Sequence, residues 1–254
     1  MSLPLSPNFV AQFRRLCDAH QQDPLQAASE LAADFAFEAA ARTEALVLMP
    51  SGRVLDLVRP TPLDIEPEDI VAGQVDIARW GGATNGDQPV RDAQHALLVR
   101  EILLQDNPNL HPGVELAGLV HDGPEGPLGF DPISPLRPFL GIGLRRIEAE
   151  LQATIHARVG LPRQLPKEWK DMIKAADLKA AASEAHHMTP WTAEQIRKSL
   201  KIKHAPLRDD PLARRFNTAA WRPWSRGEAT NIYGAELERM MKRVALTGIV
   251  ASTY

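Results

Sequence analysis

The stretch Val114-Glu115-Leu116-Ala117-Gly118-Leu119-Val120-His121-Asp122-Gly123-Pro124-Glu125 runs an apolar segment straight into an adjacent His-Asp pair. Residues 114–121 are expected to form a buried helix, because apolar side chains fill nearly all of it. Burying an ionised Asp122 at its end costs several kcal/mol unless a partner meets the charge. The neighbouring His121 belongs to the commonest class of metal ligand. A bound cation would answer both residues, and its other ligands should lie on neighbouring helices.

Two other places carry the same residue types on core-forming helical sequence. His95 lies in a helix expected over 90–105, where Leu97, Leu98, Ile102 and Leu103 are apolar. Asp177 lies in Ile173-Lys174-Ala175-Ala176-Asp177-Leu178-Lys179, inside a helix expected over 166–187. A lone helix histidine is more often a surface or core residue than a ligand. Together, two imidazoles and two carboxylates make a good ligand set for one divalent transition metal such as Mn, Co or Zn.

Outward from these stretches the chain reads as mainly α. Residues 28–43 place Leu31, Phe35 and Ala39 at helical spacing among strong helix formers. Ser51-Gly52 separates two short apolar runs within 46–58, which predicts a small hairpin. Further helices are expected over 69–79, 143–159, 192–203 and 228–246, and 123–135 reads as a long Pro- and Gly-rich loop. The expected architecture is a compact helical bundle over 45–187. A helical segment (1–44) precedes it, and a basic, Trp-containing segment with a closing helix (188–254) follows.

Composition excludes several classes. Apolar residues at 44% and charged residues at 24% argue against a disordered chain. No apolar run has the length of a membrane span. The start, MSLPLSPNFVAQFRRL, lacks a basic region followed by an apolar core, so no secretory signal is expected. A single cysteine, Cys17, excludes an intrachain disulfide and fits a reducing cytoplasm. The net charge of -3 is uneven: nine Lys/Arg and two Asp fall in 197–226. Trp191, Trp221 and Trp224 lie near those arginines, and the block is expected to form a subunit interface, hence a homo-oligomer, or a lid over an anionic ligand. Nucleic-acid binding ranks lower, because the first 196 residues carry the opposite charge.

In order, His95, His121-Asp122 and Asp177 resemble the metal-binding pattern of the HD-domain phosphohydrolase superfamily. Arg79-Trp80-Gly81-Gly82 upstream, Ala93-Gln94-His95, Glu125 three residues after Asp122, and Asp131 with Ser134-Pro135-Leu136 sharpen the likeness. The whole is similar to the bacterial 5′-deoxynucleotidase and deoxynucleoside triphosphohydrolase branch over roughly residues 45–185. The resemblance implies metal ligation by His95, His121, Asp122 and Asp177, and handling of the attacking water by Glu125. It also implies substrate contacts from Arg79 and Trp80, a sugar-side loop containing Asp131 and Ser134, and Lys174 near the phosphate. Arg91 stands where the family has serine; it lies one helical turn before His95 and is a candidate for extra phosphate charge.

Three functions follow as expectations. The first is metal-dependent cleavage of the 5′-phosphate ester of deoxynucleoside monophosphates. The second is release of tripolyphosphate from deoxynucleoside triphosphates. The third, from another class, is a nucleotide-binding regulatory protein with little turnover.

Overall fold

The helix α3 (Asp92–Asp106) is buried on every side from Asp92 to Leu103. A helix buried on every side stands at the centre of a bundle, and here five other helices surround it. In the computed structural model, which describes residues 7–19, 23–28, 44–133 and 135–247, the chain is mainly helical with one small hairpin. Ser134 and most of 28–43 lie outside the described residues. Among the described residues no helix is long and apolar enough to cross a membrane.

After α1 (Pro7–Ala19), strands β1 (Leu46–Leu48) and β2 (Val54–Asp56) pair antiparallel, with Val47 opposite Leu55. The turn falls at Ser51-Gly52, with Gly52 at φ 83° as only glycine adopts readily. Ser51 anchors it by donating through N and Oγ to the two Asp69 oxygens, each at 2.8 Å. Asp69 belongs to α2 (Pro67–Asp76), which begins with proline at its first turn.

The chain does not stay helical to Arg79, as its sequence predicts. Ile77 turns extended, and an isolated antiparallel bridge pairs Ala78 with Arg91. Arg79 N donates to Val90 O at 2.8 Å, and Asp92 N to Ile77 O at 3.3 Å. Backbone pairing with the distant 90–92 segment therefore ends α2 and sets Arg79 beside the start of α3. A short 3-10 turn, Arg79–Gly82, follows.

The remaining helices are α4 (Pro112–Leu119), α5 (Glu125–Leu128), α6 (Gly141–Arg158), α7 (Lys167–His187), α8 (Ala193–Lys198), α9 (Pro211–Phe216) and α10 (Arg226–Leu246). Three differ from expectation. The loop after His121-Asp122 contains the turn of helix α5, closed by Gly129 in the left-handed region. The helix expected over 192–203 stops at Lys198. The basic block hides α9, started by Asp210 as N-cap and Pro211 behind it.

Close backbone approach fixes the bundle where it matters. A Cβ on Gly126 would lie 2.7 Å from Gly73 Cα, so α5 sits directly on α2. The α10 helix packs on α2, α3 and α4. Its Tyr233 hydroxyl, wholly buried, donates to Leu119 O at 2.8 Å at the end of α4. Before α10, Trp224 N donates to Gln94 Oε1 at 3.0 Å, and Gln94 Nε2 to Arg222 O at 2.9 Å.

Candidate metal centre

Three elements converge on one point. The central α3 supplies Asp92 and His95, three residues apart and so on one face. The end of α4 delivers His121 and Asp122 as the backbone leaves helical geometry at Val120. The long α7 supplies Asp177 and, two turns on, Glu184.

Both imidazoles have a fixed orientation. His95 Nδ1 lies 2.7 Å from Glu184 Oε1, and His121 Nδ1 lies 2.8 Å from Gly118 O. Each Nδ1 faces an acceptor and so carries a proton, which makes Nε2 the ring atom left to meet either a second proton or a metal ion. Both Nε2 atoms are buried without a hydrogen-bond partner among the described residues. They point into one cluster of oxygens: His121 Nε2 is 3.2 Å from Asp122 Oδ2, and His95 Nε2 is 3.2 Å from Asp177 Oδ1 and 3.7 Å from Asp122 Oδ2. Ligand atoms of His95, His121 and Asp122 all fall within 4.8 Å of one another.

The electrostatics ask for a cation. Burial and Arg79 push the His95 imidazole down, but Glu184 and Asp177 prevail and hold it up at about 10. Burial opposes charge on His121 as well, and Asp122 raises it. Burial alone would raise Asp122 and Asp177; the imidazoles, with Arg79 and Lys174, bring both well below the carboxylate range. Protons on the histidines thus stand where a divalent ion would. Two orphaned imidazole nitrogens facing two carboxylates, each imidazole oriented from behind, could hold a metal ion.

A second set of oxygens lies alongside. Asp92, Asp122 and Glu125 bring ligand atoms within 4.8 Å of one another. Burial first, then Asp122 and Asp92, push the Glu125 carboxyl up to about 12. Burial and Asp122 lift Asp92 to about 7 against the pull of Arg79. Arg79 Nη1 bridges this set, 3.4 Å from Asp92 Oδ1 and 3.2 Å from Asp122 Oδ2.

The cluster opens on a cavity of about 480 Å³. Arg79, His121, Asp122, Glu125, Asp131 and Asp177 line it, and Lys174, paired with Asp177 Oδ2 at 2.7 Å, lines it too. Three predicted site residues stand outside this lining: the wholly buried His95, Trp80 and Arg91. Trp80 donates through Nε1 to Glu184 Oε2 at 3.0 Å, so its indole supports the cluster from behind. Arg91 turns its guanidinium to Val75 O at 2.7 Å, because it caps α3 across the backbone bridge rather than riding on the helix face toward His95. Ser134 lies outside the described residues.

No protein-family model matches the chain. An uncharacterized protein of Rhodobacter capsulatus is 46% identical over 144 residues, spanning 57% of this chain and 73% of that protein. The chain belongs to that protein's family.

Several residues of the site went unassigned in the sequence. Glu184 accepts from His95, from Arg79 Nε at 3.1 Å and from Trp80, and is 1% exposed. Its spacing of seven from Asp177 put both on one face of α7, a signal that was available. Asp92, three before His95, offered the same signal. Arg137, Lys170, Gln152 and His156 also line the cavity and carried none.

Proposed function

We propose that this chain is a metal-dependent phosphohydrolase of the HD superfamily that cleaves the 5′-phosphate ester of deoxynucleoside monophosphates. The observation that carries the reading is the pair of buried, unpartnered Nε2 atoms of His95 and His121 facing Asp122 and Asp177 at the wall of a cation-lined cavity. His95, His121, Asp122 and Asp177 hold one divalent ion, Mn, Co or Zn. Bound there, the ion supplies Lewis acidity toward phosphoryl oxygens and makes water a competent nucleophile near neutral pH.

The chain's own groups do the rest. Glu184 fixes the His95 tautomer, and Gly118 O fixes that of His121. Lys174, Lys170 and Arg137 bring positive charge to the cavity and meet the phosphate. Arg79 lines the cavity while its ion pairs with Asp92, Asp122 and Glu184 hold it in place. Glu125 stands at the wall with Asp92 and Asp122 within 4.8 Å of it, which places its carboxyl to handle the proton of the attacking water.

The triphosphate alternative needs more cations. Arg91 faces elsewhere, and the basic block's Arg215, Arg222 and Arg226 are engaged with Glu101, Glu228 and Asp76. That favours the monophosphate. The test is a metal-dependent assay over a nucleotide panel with products separated by charge. Inorganic phosphate and deoxynucleoside from monophosphates are expected; tripolyphosphate from triphosphates, or no hydrolysis with any of the three metals, overturns the reading.

A further inference from the structure

Behind the metal cluster, the α6 helix presents a polar pair to the cavity. His156 is buried, and its Nδ1 lies 3.4 Å from Arg163 O. A ring nitrogen facing a carbonyl carries the proton, so His156 Nε2 is the lone pair. Gln152 Nε2 lies 2.8 Å from that atom and 2.9 Å from Val120 O. Both partners are acceptors, so both amide protons of Gln152 are committed. The opposite amide orientation would set Oε1 against a carbonyl and a lone pair at once. Burial draws the His156 imidazole down to about 4, which keeps it neutral and keeps this wiring at physiological pH.

One atom is left over. Gln152 Oε1 has no protein partner among the described residues, and Gln152 lines the cavity with the apolar Ala117, Leu165 and Ile173. It is an acceptor whose direction is fixed, on the wall of a cavity that Lys170, Lys174 and Arg137 also line. Nothing charged is needed to satisfy it; an N–H or O–H is.

Resting on the phosphohydrolase reading above, we propose that Gln152 Oε1 is a specificity-determining contact that accepts a hydrogen bond from an uncharged donor on the nucleoside portion of the substrate. In a thymidine nucleotide the donor is either the sugar 3′-hydroxyl or the base imide N–H. An analogue that lacks the donor leaves Oε1 to water and loses the net worth of one hydrogen bond, a few-fold to about tenfold.

The test uses the metal-loaded full chain and three substrates: thymidine 5′-monophosphate, its 3′-deoxy analogue and its N3-methyl analogue. One of the two analogues is expected to lose a few-fold to about tenfold in kcat/KM, and which one names the donor. In Gln152→Met the ratio between parent and that analogue should collapse toward one; in Gln152→Glu, which keeps an acceptor, it should persist. Equal use of all three substrates by the wild type overturns the proposal, as does an undiminished ratio in Gln152→Met. If none releases phosphate, the hydrolase reading is the part that fails. Calorimetric binding of thymidine and the same two analogues then decides the contact without turnover, and equal affinities overturn it. Should Gln152→Met not fold, the wild-type comparison stands alone as the deciding measurement.

Discussion

Replacing Glu184 with glutamine removes one oxygen and one charge from the back of the metal cluster. In the native site Oε1 accepts from His95 Nδ1 at 2.7 Å, while Oε2 accepts from Arg79 Nε at 3.1 Å and Trp80 Nε1 at 3.0 Å. Glutamine has a single carbonyl oxygen, so one side of the pair must now meet an NH2 group. If the NH2 faces Arg79 and Trp80, two buried donors oppose a third. If it faces His95, Nδ1 must accept, and the imidazole proton moves to Nε2, the atom that points at Asp122 and Asp177. Either arrangement weakens the ligand set without touching a ligand. Groups that orient metal-bound histidines are typically worth about 10–100-fold in affinity. That is about 1.4–2.7 kcal/mol. The expected result for Glu184→Gln is a loss of that size in Mn or Co affinity, measured by competition against a chelator, with helical content unchanged by circular dichroism. A folded variant with wild-type affinity refutes the assignment of Glu184 as the group that orients His95.

Four other outcomes follow from the same geometry. Asp122→Ala removes an oxygen near both Nε2 atoms and one partner of Arg79, and should abolish metal content by elemental analysis together with activity. Glu125→Gln should keep the metal but slow turnover by about 10²–10⁴-fold in steady-state assays; unchanged turnover would make Glu125 a wall residue only. With metal chelated, Tm should fall as pH rises from 6.5 toward 10. The folded state holds His95 up at about 10 against an ordinary 6.5, so its contribution is whole below 6.5 and vanishes through 10, and the upward shift of Glu125 acts in the same direction; a flat Tm across that window contradicts the charge reading. Gly126→Ala puts a Cβ 2.7 Å from Gly73 Cα, and overpacking of this kind costs about 1–3 kcal/mol, readable as a drop in the denaturation midpoint.

The helical bundle, the hairpin at Ser51-Gly52 and the cluster of His95, His121 and Asp122 were legible in the chain. Each rests on local pattern: helical spacing, turn chemistry, and polar residues set into apolar helices. What stayed hidden depends on contacts between distant segments. The pairing of Ala78 with Arg91 ends α2 early and turns Arg91 away from His95, and nothing near either residue announces it. Glu184 and Asp92 share helix faces with Asp177 and His95 in the sequence, but only the convergence of α3 and α7 makes them buried partners. Trp80, which the resemblance places at the substrate, donates instead through Nε1 to Glu184. His156 gave no partner signal because its partners, Gln152 and Arg163 O, mean something only beside the cavity.

The order in which the chain is made adds a consequence to the packing of α10. All four candidate metal ligands precede residue 178, but the hydroxyl that holds Leu119 O belongs to Tyr233, and the backbone that clasps Gln94 belongs to residues 222–224. During synthesis, which runs from the N-terminus at about 5–20 residues per second, the ligands therefore emerge seconds before their last supports. In that interval the end of α4 has an unmet buried carbonyl, and the side chain next to His95 has no clasp. A ribosome-bound chain ending before residue 222 thus owns His95, His121, Asp122 and Asp177 without the contacts that Arg222, Trp224 and Tyr233 make behind them.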